Sequence, residues 1–222
     1  MISIVLICHN YGRYIQQCFD SIYANDQSLI KEIIVINDSS QDNSSIIIKK
    51  NRLNNIKIKY FETNYKSLSK SYNFGIKKSN SEWISKIDAD DLYKESFFSE
   101  FFSHIIKNKL DLVYGNLLIK NEKNGKEYIK IQKVSNYLKL FKYPVGSGTI
   151  FKKSLWQEIG GFDEKLKYQD DYDFWLRINK LKKKNIGFFN KVGYIHRKHM
   201  FNMSNNIIKK NFTKTRVFFK NL

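Results

Sequence analysis

A chain of 222 residues with 42% apolar side chains, 15% aromatics, ten glycines and a single proline has the size and composition of one sizeable globular domain, which excludes disordered, collagen-like and low-complexity architectures. Its 39 basic and 21 acidic residues leave a formal charge of +18, which raises nucleic acid or an anionic membrane as partners, although Asn and Ile are in parallel excess, as A+T-rich coding produces. Cys8 and Cys18, the only cysteines, are too few for a disulfide framework and form no CxxC zinc or redox motif, so a reducing, cytoplasmic setting is expected.

The amino terminus enters an apolar run at once, without a charged leader or a small-residue cleavage site, so no secretion signal is expected. Residues 2–7 form a continuous β-branched stretch that predicts a strand buried on both faces, and residues 14–23 carry apolar side chains at helical spacing. The alternation continues with a strand at 32–36, a helix at 43–53, a strand at 56–61, a helix at 68–77 and a strand at 83–87. This pattern predicts an α/β fold with a mostly parallel central sheet flanked by helices, and ligands beyond the carboxyl ends of the strands. Farther along, 111–114 reads as a strand and 121–125 as the turn of a small antiparallel excursion. Gly146-Ser147-Gly148 leads into the apolar piece 149–151, and Gly160-Gly161 closes a helix around Leu155. A helix after Asp170 carries Phe174, Trp175 and Ile178, and a strand follows near 187–195. Apolar runs such as 33–36 fall far short of the ~20 residues that a spanning helix needs.

Polar clusters follow the strands. In Asn37-Asp38-Ser39-Ser40-Gln41-Asp42, Ser40 or Asp42 suits the cap of the next helix, and Asp38 is placed to accept hydrogen bonds from a base or sugar. Asp88-Ala89-Asp90-Asp91 brings together three carboxylates that repel unless a cation or water separates them. A hard divalent ion, Mn2+ or Mg2+, explains them economically; a helix cap by Asp91 with the others solvated is the structural alternative. Asp170-Asp171-Tyr172-Asp173 opens a helix, where the macrodipole favours ionised carboxylates. One of these can act as a base, while capping and an ion pair with Arg177 remain the structural readings. His196, Arg197 and His199 form a cluster able to reach phosphate or metal.

Four patterns in this order and spacing carry a resemblance: Cys8-His9-Asn10, Ile36-Asn37-Asp38-Ser39-Ser40, Lys86-Ile87-Asp88-Ala89-Asp90-Asp91, and Gly160-Gly161-Phe162-Asp163 leading to Asp170-Asp171-Tyr172-Asp173-Phe174-Trp175-Leu176-Arg177. From Ile2 to about Ser204 the chain resembles the inverting, nucleotide-sugar-dependent glycosyltransferases of family 2, which have the GT-A type nucleotide-binding fold. The resemblance implies one GT-A domain over 1–204, with a nucleotide-sugar-binding half at 1–115 and an acceptor-binding half at 116–204; the spacing of basic and apolar residues beyond it predicts a basic amphipathic helix at 205–222. It implies that Asp38 contacts the uracil, that Asp88 and Asp90 serve the ribose and the metal-bound diphosphate, and that Asp171 is the catalytic base. Further donor contacts are expected from Ile7, His9, Asn10, Lys70, Asn73 and Ala89, and acceptor contacts from Gly160, Gly161, Asp170 and Trp175. The metal is expected at Asp90, Asp88 and His199, the last matching a carboxy-terminal His after an aromatic-Arg pair. Several positions depart from the family pattern. His9 stands where Tyr is usual, Ser71-Tyr72-Asn73 replaces Ala-Arg-Asn, Asn64-Tyr65-Lys66 replaces Asn-x-Gly, and His196 replaces a Tyr before Arg197. The basic contact to the nucleotide is then either missing or supplied by Lys70.

The implied reaction moves a sugar from a UDP-sugar to a hydroxyl of a glycan or lipid-linked glycan in bacterial cell-surface polysaccharide biosynthesis. A divalent ion at Asp90 would offset charge on the departing diphosphate, and Asp171 would take the acceptor's proton from the opposite face. Two rivals differ in class. A non-catalytic nucleic-acid or anionic-surface module accounts for the +18 but not for the acidic clusters, so no nucleic-acid partner is expected. A sugar nucleotidyltransferase would carry a glycine-rich phosphate loop near the amino terminus, and residues 8–12 are not one. In the tail, Lys209, Lys210, Lys214, Arg216 and Lys220 alternate with Ile208, Phe212, Phe219 and Leu222, without an acidic residue from 207 onward. That segment either lies on the anionic inner face of the cytoplasmic membrane or packs on the core with its basic face solvated. Acceptor choice is expected to reside in 134–149 and around Gly160.

Overall fold

The computed structural model describes residues 1–52, 56–133, 144, 146–202 and 207–221. Strand β1 (Ile2–Cys8) is buried along its whole length, because its apolar run, interrupted by Ser3, which donates to the buried Glu32, has a helical layer on each face. It lies between β2 (Ile30–Asp38) and β4 (Trp83–Asp88), and β3 (Ile58–Thr63) flanks β2, all four strands parallel. Their crossovers carry α1 (Ile15–Tyr23), α2 (Ser44–Asn51) and α3 (Leu68–Lys78). The period of two sorts side chains into two cores. Ile4, Leu6 and Cys8 of β1 pack with Cys18 and Phe19 of α1 and with Phe98 and Phe101 of α4 (Phe97–Asn108). Val5 and Ile7 share the opposite core with Tyr72 and Ile76 of α3 and with Phe174 and Ile178 of α6 (Asp170–Lys180). Each such large side chain contributes about 1.5–3 kcal/mol on full burial.

With β5 (Leu92–Tyr93), β6 (Leu112–Asn121), β7 (Glu127–Lys130), β8 (Thr149–Lys152) and β9 (Ile186–Lys198), the strand order is β3-β2-β1-β4-β8-β6-β9-β5, and β7 lies beside β6. After β3 the chain crosses back over β1 to lay down β4, so the carboxyl ends of β1 and β4 form the switch point at which an open sheet leaves a crevice. Ile7 is in register with Asp88 there, which sets the Cys8-His9-Asn10 loop beside the acidic loop.

The antiparallel part extends beyond the hairpin expected at 121–125. That hairpin is present, joining β6 (Leu112–Asn121) to β7 (Glu127–Lys130). In addition β8 (Thr149–Lys152), followed by α5 (Lys153–Glu158), runs antiparallel to both β4 and β6. The two-residue β5 (Leu92–Tyr93) pairs antiparallel with β9 (Ile186–Lys198), which runs parallel to β6. One sheet therefore passes through both of the expected halves.

The last helix, α7 (Ile207–Lys220), packs through Val217 against Leu166, Tyr172 and Leu176, and leaves Phe212 and Phe219 exposed. Both readings of the tail thus find a face: one side packs on the core and another shows aromatic and basic groups to solvent. The proposed boundary at 204/205, most of 134–149 and the side chains of Ile208, Lys210 and Leu222 lie outside the described residues. Among the described residues no helix is long and apolar enough to cross a membrane. Cys8 and Cys18 are buried free thiols.

Candidate active site

At the carboxyl end of β2, Asp38 is 3% exposed and its carboxylate is committed within the protein. The amides of Tyr65 and Lys66 donate to Oδ1 at 2.7 and 3.1 Å, and the amide of Ser67 and hydroxyl of Ser71 donate to Oδ2 at 3.1 and 3.0 Å. Burial opposes the charge, yet these donors prevail and hold the carboxyl below its usual range. Asp38 therefore organises the loop leading into α3. The exposed His9 lies with Nδ1 2.5 Å from the Asp38 carbonyl. Asn10, at a left-handed φ of 58°, takes a bond from the Gln41 amide at 2.7 Å and donates its own amide to Ser40 at 2.9 Å. Asp42, rather than Ser40, receives the Ser44 amide at the start of α2, at 3.0 Å. Lys70 is exposed on the first turn of α3.

Asn73 was expected against the donor but is engaged as a strut. Its Nδ2 donates to the Phe162 carbonyl and to Glu164, both at 2.9 Å, and its Oδ1 accepts from Phe162 N at 2.9 Å and Trp156 Nε1 at 3.1 Å. It pins the turn in which Gly161 has φ +80° and in which an added Cβ would come 2.8 Å from Asn73 Oδ1. Gly160 is exposed beside it.

The acidic loop after β4 divides its labour. Asp91 is 1% exposed and accepts from Tyr194 Oη at 2.9 Å, His196 Nδ1 at 3.1 Å and the Arg197 amide at 2.9 Å, so it fastens the loop to β9. Arg197 donates Nε to the Asp90 carbonyl and lies 4.8 Å over the Tyr14 ring. Asp90 Oδ2 stands 3.0 Å from His199 Nε2 and 3.1 Å from Asn202 Nδ2. Tyr14 stacks on His199 at 4.7 Å. Burial, then Asp90 and Asp88, push the Tyr11 hydroxyl well above its ordinary pKa. Asp88 accepts from Tyr72 Oη at 2.7 Å, and burial followed by the charge of Asp90 pushes its carboxyl up to about 7. Ala89 is fully buried and donates its amide to the carbonyl of the buried Ile7 at 3.0 Å, so these two backbone groups are engaged with each other.

Where α6 begins, three aspartates have three fates. Asp173 is fully buried and paired with Arg177, whose guanidinium also donates to the Ile159 and Gly161 carbonyls at 2.6 Å; this is the structural ion pair that the sequence left open. Asp171 is partly exposed, 2.5 Å from Lys86 Nζ, and accepts the Gly146 amide at 3.1 Å. Asp170 is 8% exposed, its Oδ2 has no hydrogen-bond partner among the described residues, and burial followed by Asp171 pushes it up to about 6. Trp175 is a core residue in edge contact with Tyr114 at 5.3 Å, its Nε1 buried and without a hydrogen-bond partner among the described residues.

Among the described residues no set of three acidic, His or Cys side chains converges as a metal cage. Asp90 and His199 nonetheless offer a carboxylate and an imidazole 3.0 Å apart, beside an Asp88 whose carboxyl is pushed up by burial and then by the charge of Asp90. That donor set fits a divalent ion whose remaining ligands come from substrate phosphates. Sequence reasoning missed Tyr11, Tyr14, Tyr72, Lys86 and Asn202. Lys86 had a signal, a lone cation within a strand expected to be buried; Asn202 had none.

The sequence matches the family described as Glycosyl transferase family 2 over residues 3–206. It is 31% identical over 197 residues to an uncharacterized glycosyltransferase of Rickettsia felis, covering 80% of this chain and 31% of that protein. It is also 28% identical over 188 residues to the O-antigen biosynthesis glycosyltransferase WbnJ of Escherichia coli, covering 80% of this chain and 71% of that one. The chain thus spans under two thirds of its Rickettsia relatives, 31% of the one from R. felis and 58% of one from R. typhi. Among solved structures, S. aureus TarS 1–349 in complex with UDP-GlcNAc superposes with a TM-score of 0.80 at 18% identity, over 99% of this chain and 66% of that one. At that identity the likeness speaks for the fold.

Proposed function

The chain belongs to glycosyltransferase family 2, and from that premise we propose that it moves a sugar from a UDP-sugar to a hydroxyl of a glycan or lipid-linked glycan, with inversion, in building a cell-surface polysaccharide. The observation that carries this reading is a continuous line of contacts on one face of the sheet. Asp88 is bonded to Tyr72, the Tyr72 ring lies 4.4 Å from Lys86 Nζ, and Lys86 is paired with Asp171. One end faces the switch-point crevice and the other the opening of α6. The UDP-GlcNAc in the TarS complex supports uracil as the donor base, and WbnJ supports surface polysaccharide as the destination.

In this mechanism the donor enters over the ends of β1, β2 and β4, with the base near His9 and the loop that Asp38 organises. Mn2+ or Mg2+ would be held by Asp90 and His199 with Asp88 beside them, and when bound it offsets the charge that develops on the leaving diphosphate. Asp171 takes the proton of the acceptor hydroxyl as that oxygen attacks the anomeric carbon from the face opposite the diphosphate, which inverts the centre. Asp170, buried beside it with one oxygen that has no partner among the described residues, orients the acceptor. We place the enzyme at the cytoplasmic side of the membrane, with the exposed face of α7 toward anionic lipid.

The test is a donor screen that follows nucleoside diphosphate release across UDP-, GDP- and dTDP-sugars with manganese and a panel of glycan acceptors. Acceptor-dependent release of UDP, with the product linkage inverted by NMR, is expected. Release from another nucleotide alone would overturn the uridine assignment, and retention would overturn the single displacement.

A further inference from the structure

Lys86 is 2% exposed in the middle of β4, a position that ordinarily takes an apolar side chain. By the period of two it shares a face with Ile84 and Asp88, the face covered by α3 and α6, whereas Trp83 and Ile87 enter the other core. A buried ammonium is tolerated only when it is paired, and the surroundings of this one are specific. Asp171 Oδ1 lies 2.5 Å from Nζ, and the rings of Tyr72 and Phe162 lie 4.4 and 4.9 Å away. Tyr72 in turn spends its hydroxyl on Asp88. Asp171 Oδ2 is engaged separately by the Gly146 amide. The carboxylate is thus fixed by one contact at each oxygen, and the Lys86 contact relates it to the donor-side carboxylate Asp88 through a single aromatic side chain.

We propose that Lys86 is a positioning residue for sugar transfer: it orients the Asp171 carboxylate and sets its placement relative to Asp88. This rests on the reading of Asp171 as the base. Its stem leaves the strand into a slot lined by Phe162 and Tyr72, so neither end of the Lys86–Asp171 contact is free to swing as an exposed ion pair would. Loss of the ammonium leaves Asp171 held, among the described residues, by the Gly146 amide, and a base displaced by about 1 Å costs on the order of 10²-fold in the chemical step while leaving donor binding alone.

The experiment compares Lys86→Met, Lys86→Arg, Asp171→Asn and the Lys86→Met/Asp171→Asn double variant for kcat, donor KM and thermal unfolding. Lys86→Met is expected to lower kcat about 10²-fold with donor KM little changed, and Lys86→Arg to recover part of the loss. The double variant should be no slower than Asp171→Asn alone, because Lys86 acts through Asp171. A merely structural role would lower the unfolding temperature without this dependence on Asp171. Normal kcat in Lys86→Met, or a double variant slower by the full product of the two losses, overturns the positioning role and leaves the reading of Asp171 standing. Normal kcat in Asp171→Asn overturns that reading itself. Should Lys86→Met fail to fold, Lys86→Leu, which likewise removes the donor toward Asp171, is put through the same comparison with the same outcomes.

Discussion

Asp90 and His199 meet at 3.0 Å although 109 positions separate them in the chain, and Asn202 holds the same Asp90 oxygen at 3.1 Å. The carboxylate and imidazole brought together at the end of β4 are the pair proposed to hold the divalent ion, and the amide of Asn202 is the further contact of that carboxylate. EDTA is therefore expected to abolish transfer, with recovery on adding Mn2+. Asp90→Ala should lose transfer while keeping the unfolding temperature within a few degrees, and Asn202→Ala should raise the Mn2+ concentration needed for half-maximal rate about 10- to 100-fold. Turnover that persists in metal-free buffer would remove the ion from the mechanism.

Asp173 belongs to the fold. Its carboxylate is fully buried against Arg177, Lys220 and Asn221, and so joins α6 to both α7 and the Gly160-Gly161 turn. Breaking a buried pair from one side typically costs about 3–5 kcal/mol, because the remaining charge is stranded. Urea unfolding of Asp173→Ala should show a loss of that order, with kcat per folded molecule changed far less than by Asp171→Asn. A collapse of kcat without loss of stability would move catalysis to Asp173.

Phe212 and Phe219 of α7 are 75% and 66% exposed, with Lys209 and Arg216 also exposed, while Val217 is buried against the core. Truncating the helix would uncover Leu166 and Tyr172, so point variants are the cleaner probe. Basic groups near an anionic surface contribute about 1 kcal/mol each, and two aromatic anchors add to that. Flotation with phosphatidylglycerol vesicles should fall for Phe212→Ser/Phe219→Ser and for Lys209→Glu/Arg216→Glu, and neutral vesicles should capture none. Equal flotation of all forms would leave the face without a lipid role.

The amino-terminal half of the fold was legible because its strands are continuous β-branched runs separated by helical periodicities, a local signal. β5 was not, since two residues carry no pattern and Leu92-Tyr93 becomes a strand only by pairing with β9. The site follows the same division. Asp38, Asp88, Asp90 and Asp171 stood out as carboxylates at strand and helix ends, but the partners that decide their use lie far away in sequence. Asn73 resembled a donor contact until Trp156 and Phe162 came to occupy it, and Lys86 was a lone cation until α6 folded over it. Which aspartate of Asp170-Asp171 meets Lys86 depends on the phase of α6, set where Gln169 adopts a φ of 63°.

Asp170 should reduce stability at neutral pH. Its carboxyl is pushed up to about 6 by burial and then by Asp171, against an ordinary 3.8. An acid whose pKa is higher folded than unfolded binds its proton more tightly when folded, so stability falls as pH rises from 3.8 through about 6 and stays reduced above that. Asparagine carries no charge at either extreme. Asp170→Asn should therefore gain roughly 2–3 kcal/mol at pH 7.5 and converge with the parent at pH 4, as measured by denaturant midpoints. A constant difference across that range would show that the carboxylate is not the cause.

The last expectation concerns Asp171 and the backbone that faces it. If Asp171 removes the acceptor proton, Asp171→Asn keeps its shape and its bond from the Gly146 amide but loses basicity, so kcat should fall about 10²- to 10⁴-fold with donor affinity little changed. Gly146 supplies an independent route to the same carboxylate. A Cβ there would lie 2.1 Å from Asp171 Oδ1, closer than any real contact, so Gly146→Ala must displace the side chain without altering its chemistry. Loss of transfer in Gly146→Ala with normal donor binding would show that placement of the carboxylate, and not only its presence, limits the reaction. Assaying Asp170→Asn, Asp171→Asn and Gly146→Ala together separates the candidates. If Asp171→Asn and Gly146→Ala transfer normally while Asp170→Asn does not, the base is the neighbouring aspartate. Collapse of the first two, with Asp170→Asn raising acceptor KM, assigns proton removal to Asp171 and orientation of the acceptor to Asp170.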